Sequence, residues 1–222
     1  FADVYSTLVP IVLQNLRKTV SVIMSGEDSL GEPLMRTLPA SIVIKGESMP
    51  GKDVAILKVS NGHEFPVIPL SIGDPDRVGE DVLVYGYPDP VSRNSYLSKE
   101  TMLVPTLTRG IISAWKRSVE GWPVIQMDAI INHGNSGGPV CDAHGKVIGI
   151  TTFGSLDGGS ALLAPGLNFA IPSAVLLEFV RKAGIQPRSS RLTDMFTRAL
   201  LLYDQGEYQK SKKVFLAILE KD

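Results

Sequence analysis

The spacing of hydrophobic and polar positions changes twice along the chain. Residues 2–16 carry Val4, Leu8, Ile11, Val12 and Leu16 at helix-like intervals, but Pro10 interrupts them, which predicts a short helix or an irregular lead-in. From Thr19 the period falls to two. Thr19-Val20-Ser21-Val22-Ile23-Met24 alternates and is β-branched, so it predicts a strand, and residues 40–44 and 54–59 predict two more across the turns at 25–31 and 50–53. Two further strand signals flank Gly73-Asp74-Pro75, the second at 81–88. Residues 89–100 are polar and Ser-rich, which predicts a long surface loop or a boundary between half-domains. Strand character returns at 101–114, with Gly110 expected as a bend, then at 124–127, 146–154 and 167–172. His144-Gly145 reads as the turn before the 146–154 strand. Many short strands separated by turns predict a barrel or sandwich. Helical spacing appears only at the end. Ser173 is expected to cap a run with Val175, Leu176, Phe179 and Val180 that Gly184 closes, and an amphipathic region covers 192–219.

Composition narrows the function classes. The 222 residues suffice for one large or two small domains, and Lys+Arg 22 against Asp+Glu 23 leaves a net charge of −1. That balance gives no reason to expect nucleic acid as a partner. No stretch of about 18 uncharged apolar residues predicts a membrane span. The single cysteine, Cys141, excludes an internal disulfide framework.

The candidate chemistry lies in Asn132-His133-Gly134-Asn135-Ser136-Gly137-Gly138-Pro139-Val140. Glycines around a serine let the backbone turn sharply and can aim the N–H groups of Gly134 and Ser136 at one point, beside a hydroxyl able to attack a carbonyl. Taken alone, the stretch also fits a Gly-rich turn such as a phosphate loop. Asp53, opening the 54–59 strand, reads as a turn residue or as the acid that orients a catalytic histidine.

Four phrases in order carry a resemblance: Asp53-Val54-Ala55-Ile56-Leu57-Lys58-Val59; Gly73-Asp74 to Val78-Gly79-Glu80; Asp128-Ala129-Ile130-Ile131 running into the serine stretch; and Asn168-Phe169-Ala170-Ile171-Pro172. From about Val20 to Gly184 the chain resembles a trypsin-like serine protease of the HtrA/Deg type. The resemblance implies a mainly β fold of two six-stranded barrels, the N-terminal one incomplete over residues 1–92 and the C-terminal one with its closing helix over 93–184. It implies Ser136 as nucleophile, Asp53 as orienting acid and Gly134 with Ser136 as oxyanion donors. It further implies Ile130 at the floor of the primary specificity pocket, and Thr152-Phe153-Gly154 as the strand that pairs with an extended peptide. No cofactor and no metal are expected; the resemblance is compatible with an extracytoplasmic setting, and the sequence assigns no compartment. Asn135 stands where blood- and gut-type relatives carry an Asp that pairs with a newly cut N-terminus, so that activation switch is not expected.

One departure is large. The family has a histidine roughly 30 residues before the Asp, and residues 1–52 contain none. His63 and His144 read as turn residues, and His133 belongs to the oxyanion loop, whereas a base must approach from the opposite barrel. Two explanations stand: the chain begins downstream of the histidine, consistent with an N-terminus that looks internal, or it is a relative without catalysis. After a linker at 185–192, residues 193–222 resemble a tetratricopeptide repeat through Tyr203-Asp204-Gln205-Gly206-Glu207-Tyr208 with Ser211 and Phe215. The alternative there is an ordinary amphipathic hairpin. A lone repeat does not bury its own face, so the C-terminus also looks cut and further repeats are expected, offering a protein partner a docking arm. The expected activity is endopeptidase action on unfolded or exposed polypeptide. A silent peptide-binding module and an esterase-like acyl-transfer enzyme are the rivals.

Overall fold

A computed structural model describes residues 19–27, 33–59, 65–72, 77–92, 94–98, 104–156 and 163–220. The lead-in expected over 2–16, His63 and Gly73-Asp74 lie outside them, while Val78-Gly79-Glu80 of the same phrase lie within.

The first unit is a three-stranded antiparallel sheet of β1 (Val20–Glu27), β2 (Pro33–Lys45) and β3 (Ala55–Val59), in that order. The second is a closed barrel. Its strands are β4 (Asp81–Gly86), β5 (Thr106–Arg117), β6 (Pro123–Met127), β7 (Pro139–Cys141), β8 (Val147–Leu156) and β9 (Leu163–Pro172), ordered β4-β5-β6-β9-β8-β7. Closure falls on β4, which pairs with β7 as well as β5. The polar run at 89–100, which holds the short helix α1 (Asp89–Ser92), therefore joins two neighbouring strands of one barrel. The division expected at residues 92–93 falls inside that connection.

Period-two alternation sorts the barrel side chains to two faces. Ile125 and Met127 of β6 and Ala170 of β9 point inward with Val82, Val84, Ile112, Val140 and Ile148. Their neighbours Val124 and Ile171 point outward and meet Val54, Trp122, Val175, Leu176 and Phe179. The outer cluster is where helix α2 (Ser173–Lys182) packs against the barrel and the sheet; its N-cap is Pro172, and Ser173, the expected cap, is already its first helical residue. The loop before β3 is tied to the same place. Trp122 Nε1 donates to Pro50 O at 3.2 Å and Lys52 Nζ to Glu178 Oε2 at 2.5 Å, while Gly46 lies against the Phe179 ring. Gly110, expected as a bend, sits within a continuous β5; the register shift of that strand falls between Ile112 and Ala114. Cys141 is free and buried, and burial, aided by the charge of Asp142, pushes its thiol pKa up.

Helices α3 (Arg191–Asp204) and α4 (Tyr208–Leu219) form the C-terminal hairpin. Ser190 caps α3 by accepting from Thr193 N, so α3 takes the last residues of the expected linker. Ser211 Oγ donates to Ala199 O at 2.8 Å, and Phe196 meets Phe215 edge-on, with ring centroids 5.7 Å apart. Thr193 joins the hairpin to the barrel side, its hydroxyl exchanging hydrogen bonds with Val67 N (2.7 Å) and Val67 O (3.1 Å). No helix among the described residues is long and apolar enough to cross a membrane.

The outer cluster, more than the ion pair beside it, should hold the sheet to the barrel. Phe179→Ala is expected to lower unfolding free energy by about 3–5 kcal/mol, the range for emptying a buried aromatic site. Lys52→Met should lower it by less than about 1 kcal/mol, because both partners of that pair are partly exposed. Urea unfolding of both variants checks the order, and equal costs would show that the joint is held in another way.

Candidate active site

The arm that descends from β6 is held from both sides. Asp128 Oδ1 accepts from Ile111 N at 2.7 Å, Asn168 Nδ2 donates to Ala129 O at 2.8 Å, and Thr108 Oγ1 donates to Ile130 O at 2.8 Å. Gly110 is what lets the arm come this close, since a Cβ there would collide with Asp128 and Ala129. Ala129 and Ile131 are buried in the barrel interior, and Ile130 between them is 64% exposed. Ile130 is thus open to a ligand and is not core beneath the loop.

The next residues turn back in two steps, with Asn135 N donating to Asn132 O (3.1 Å) and Gly138 N to Asn135 O (2.9 Å). A peptide unit is planar and trans, so its C=O and N–H point in opposite directions and anchoring one aims the other. The His133 carbonyl accepts from Asp89 N at 2.7 Å, which turns the Gly134 N–H away from α1. The Asn135 carbonyl is held into the barrel by Gly138 N and by the Thr151 hydroxyl, which turns the Ser136 N–H outward. Gly134 and Ser136 are exposed, and among the described residues neither N–H donates to another group. Two free backbone donors next to a serine hydroxyl are what stabilisation of a developing oxyanion requires. Gly134 has φ +96°, and a Cβ there would run into the Tyr87 carbonyl, so the loop admits only glycine at this position.

Ser136 Oγ donates to Thr152 O at 3.0 Å, so its partner at rest is a carbonyl and not a base. β7 pairs with β8 only through Val147, Gly149 and Ile150, and Thr152–Gly154 run on past the end of β7. Asp53 stands at the entry to β3, exposed, with no hydrogen-bond partner among the described residues; its neighbour Val54 is buried in the outer cluster. The structure therefore brings Gly134, Ser136 and Thr152 together, while Asp53 makes no bond to that group. His133 is exposed on the loop and forms no bond to Ser136. His144 is exposed in a turn whose Asp142 Oδ1 accepts from His144 N and Lys146 N at 2.8 and 2.9 Å, as a turn residue should be. Asn135 is buried against Gly86, and its Oδ1 lacks a partner among the described residues. Sequence reasoning missed Asp89 and Thr151. Neither stands in the serine stretch, and the only signal for Thr151 is a polar residue at an inward position of an apolar strand.

Comparison with known proteins gives a consistent set. Residues 13–150 match the family described as the trypsin-like peptidase domain. A probable periplasmic serine endoprotease DegP-like of Bartonella henselae is 36% identical over 138 residues, covering 60% of this chain and 24% of that protein. Serine protease HTRA4 of Mus musculus is 34% identical over 135 residues, 58% of this chain and 24% of that protein. The crystal structure of the serine endoprotease from Yersinia pestis superposes with TM-score 0.52 at 29% identity, covering 76% of this chain and 50% of that one. The chain thus spans about a quarter of the length of these curated relatives.

Gly134 and Gly137 provide an internal comparison for the loop. Both have positive φ (+96° and +84°), but only Gly134 has a carbonyl in the path of a Cβ. Gly137→Ala is expected to cost about 1–2 kcal/mol from backbone strain alone. Gly134→Ala should cost at least about 1 kcal/mol more, because the loop must also move. Thermal unfolding of the two variants measures the difference, and an equal cost would mean that the approach to Tyr87 is not tight.

Proposed function

The chain belongs to the trypsin-like peptidase family, and on that premise we propose that it is the serine endopeptidase part of a longer protein, acting on polypeptides by acyl-enzyme chemistry. The observation that carries the reading is the pair of N–H groups of Gly134 and Ser136, without acceptors among the described residues, whose peptide units are anchored through the His133 and Asn135 carbonyls on the loop of the Ser136 hydroxyl. Ser136 Oγ attacks the scissile carbonyl carbon as its proton passes to a base. The carbonyl oxygen takes the negative charge and is met by the two N–H groups. The amine leaves with the proton, and water then releases the acyl group by the same steps in reverse roles.

The base is assigned to a histidine N-terminal to residue 1, oriented by Asp53. This reading is supported by the placement of the described histidines: His133 shares the loop of the proposed oxyanion donors, and His144 lies in the exposed turn between β7 and β8. The peptide is taken up along Thr152-Phe153-Gly154, supported by the extension of β8 past β7. The C-terminal hairpin is read as a tetratricopeptide-like unit that docks a protein partner.

A second reading, a silent peptide-binding module, is favoured by one observation: the Ser136 hydroxyl is bonded to a backbone carbonyl. A fluorophosphonate probe separates the two. The full-length protein should be labelled at Ser136, Ser136→Ala should abolish labelling and turnover, and residues 1–222 alone should turn over little, near the 10³–10⁴-fold over water left when a triad member is removed. Full-length protein that is well folded and unlabelled would select the binding module, and strong turnover by residues 1–222 alone would move the base to His133 or another group within them.

Ile130 sets the expected specificity. Its apolar side chain offers no counter-charge to Lys or Arg, and fully burying a Val or Leu side chain against it gains roughly 1.5–3 kcal/mol. Cleavage is expected after Val, Ala, Ile or Leu, and Ile130→Asp should shift it toward Lys and Arg. Peptide-library profiling of both proteins checks this; a wild-type preference for basic residues would mean that the pocket lies elsewhere.

A further inference from the structure

We propose that the Thr151 hydroxyl is the positioning group of the serine loop: it holds the Asn135 carbonyl and thereby aims the Ser136 N–H at the oxyanion site. The inference rests on the reading of Ser136 as nucleophile. Thr151 is 1% exposed, in β8 directly beneath the loop. Its backbone is stitched to the loop at two points, with Gly137 N donating to Thr151 O at 2.8 Å and Thr151 N donating to Gly138 O at 2.9 Å. Any residue at 151 keeps those two bonds. What threonine adds is Oγ1, which lies near two loop carbonyls, Asn135 O closely and Gly138 O at 3.3 Å. A hydroxyl has one proton to donate, and the nearer acceptor, Asn135 O, takes it.

That carbonyl already accepts from Gly138 N, so the hydroxyl is its second donor. With one donor a peptide plane still swings about the axis through its flanking Cα atoms; donors from two directions fix it. Because the plane also contains the Ser136 N–H, the buried hydroxyl fixes an outward-facing donor that it never touches. Packing does not account for it: valine has nearly the same shape and an equal preference for strands, and a buried hydroxyl is unfavourable unless bonded. The role is therefore to set direction, and its effect should appear in the transition state, where the oxyanion forms, more than in peptide binding along Thr152–Gly154.

The test uses the full-length protein and three variants: Thr151→Val, which removes the donor, Thr151→Ser, which keeps it, and Ser136→Ala. Loss of an entire oxyanion donor lowers kcat about 10²–10³-fold, so a misdirected one should lower it about 10–100-fold. The expected result is that fall in kcat for Thr151→Val, with KM within about threefold and a melting temperature near wild type, and recovery to within about threefold in Thr151→Ser. An active wild type with inactive Ser136→Ala but wild-type kcat in Thr151→Val overturns the positioning role alone. So does equal damage in Thr151→Ser, or a loss that appears in KM or in stability in place of kcat. A wild type without turnover or Ser136 labelling, or an active Ser136→Ala, overturns the nucleophile reading and this inference with it.

Discussion

The sheet is joined to the barrel at one apolar seam, where Val54 of the sheet side, Trp122, Val124 and Ile171 of the barrel wall, and Val175, Leu176 and Phe179 of α2 pack together. The barrel has its own buried interior and closes through its own strands. Among the described residues the sheet has no comparable core: Ile23, Met35, Ile42, Val43 and Leu57 are exposed, and the burial seen there comes chiefly from the seam. Asp53 is covalently next to Val54, and Ser136 stands on the barrel. The packing of one apolar cluster thus joins the part of the chain that carries Asp53 to the part that carries Ser136. The hydrophobic term decides this, because the Lys52–Glu178 pair alongside is partly exposed and contributes little.

Within the barrel the serine loop is supported by a different principle. None of its polar anchors is strong individually, each hydrogen bond adding about 0.5–1.5 kcal/mol net. What they supply is direction. Asp89 N on the His133 carbonyl, and Gly138 N with Thr151 Oγ1 on the Asn135 carbonyl, leave the N–H groups of the exposed Gly134 and Ser136 without acceptors among the described residues. Exposed amides of this kind are hydrated, so keeping them free carries little penalty.

The sequence revealed those parts of the structure that depend on local pattern. The strands at 81–86, 106–117, 123–127 and 147–156 follow period-two alternation, and α2 to α4 follow the late change to helical spacing. The serine stretch was visible because glycine at 134, with φ +96°, has a steric reason that any sequence reader can anticipate. What stayed hidden depends on residues far apart in sequence. Gly110 looked like a bend because nothing local says that Ala129 and Asp128 press against it. The polar run after β4 read equally as a surface loop or a boundary, because its composition is the same whether it joins two strands of one barrel or two units. Thr151 looked like one more strand residue, since its partner is sixteen positions away.

The resting position of Ser136 completes the argument about how such a site is used. Its hydroxyl is bonded to Thr152 O, and that carbonyl lies on the stretch of β8 proposed to pair with a peptide. A substrate N–H entering along Thr152–Gly154 competes with the serine for the same acceptor. The exchange is nearly balanced, because one neutral hydrogen bond replaces another of about 1 kcal/mol net. On the proposed reading, substrate entry would free the hydroxyl at little energetic cost. The barrel would then supply the two N–H groups and the serine, and the sheet side the carboxylate proposed to orient the base. These groups are carried by separate parts of the fold: the serine loop precedes β7 of the barrel, and Asp53, exposed and without a hydrogen-bond partner among the described residues, stands at the entry to β3.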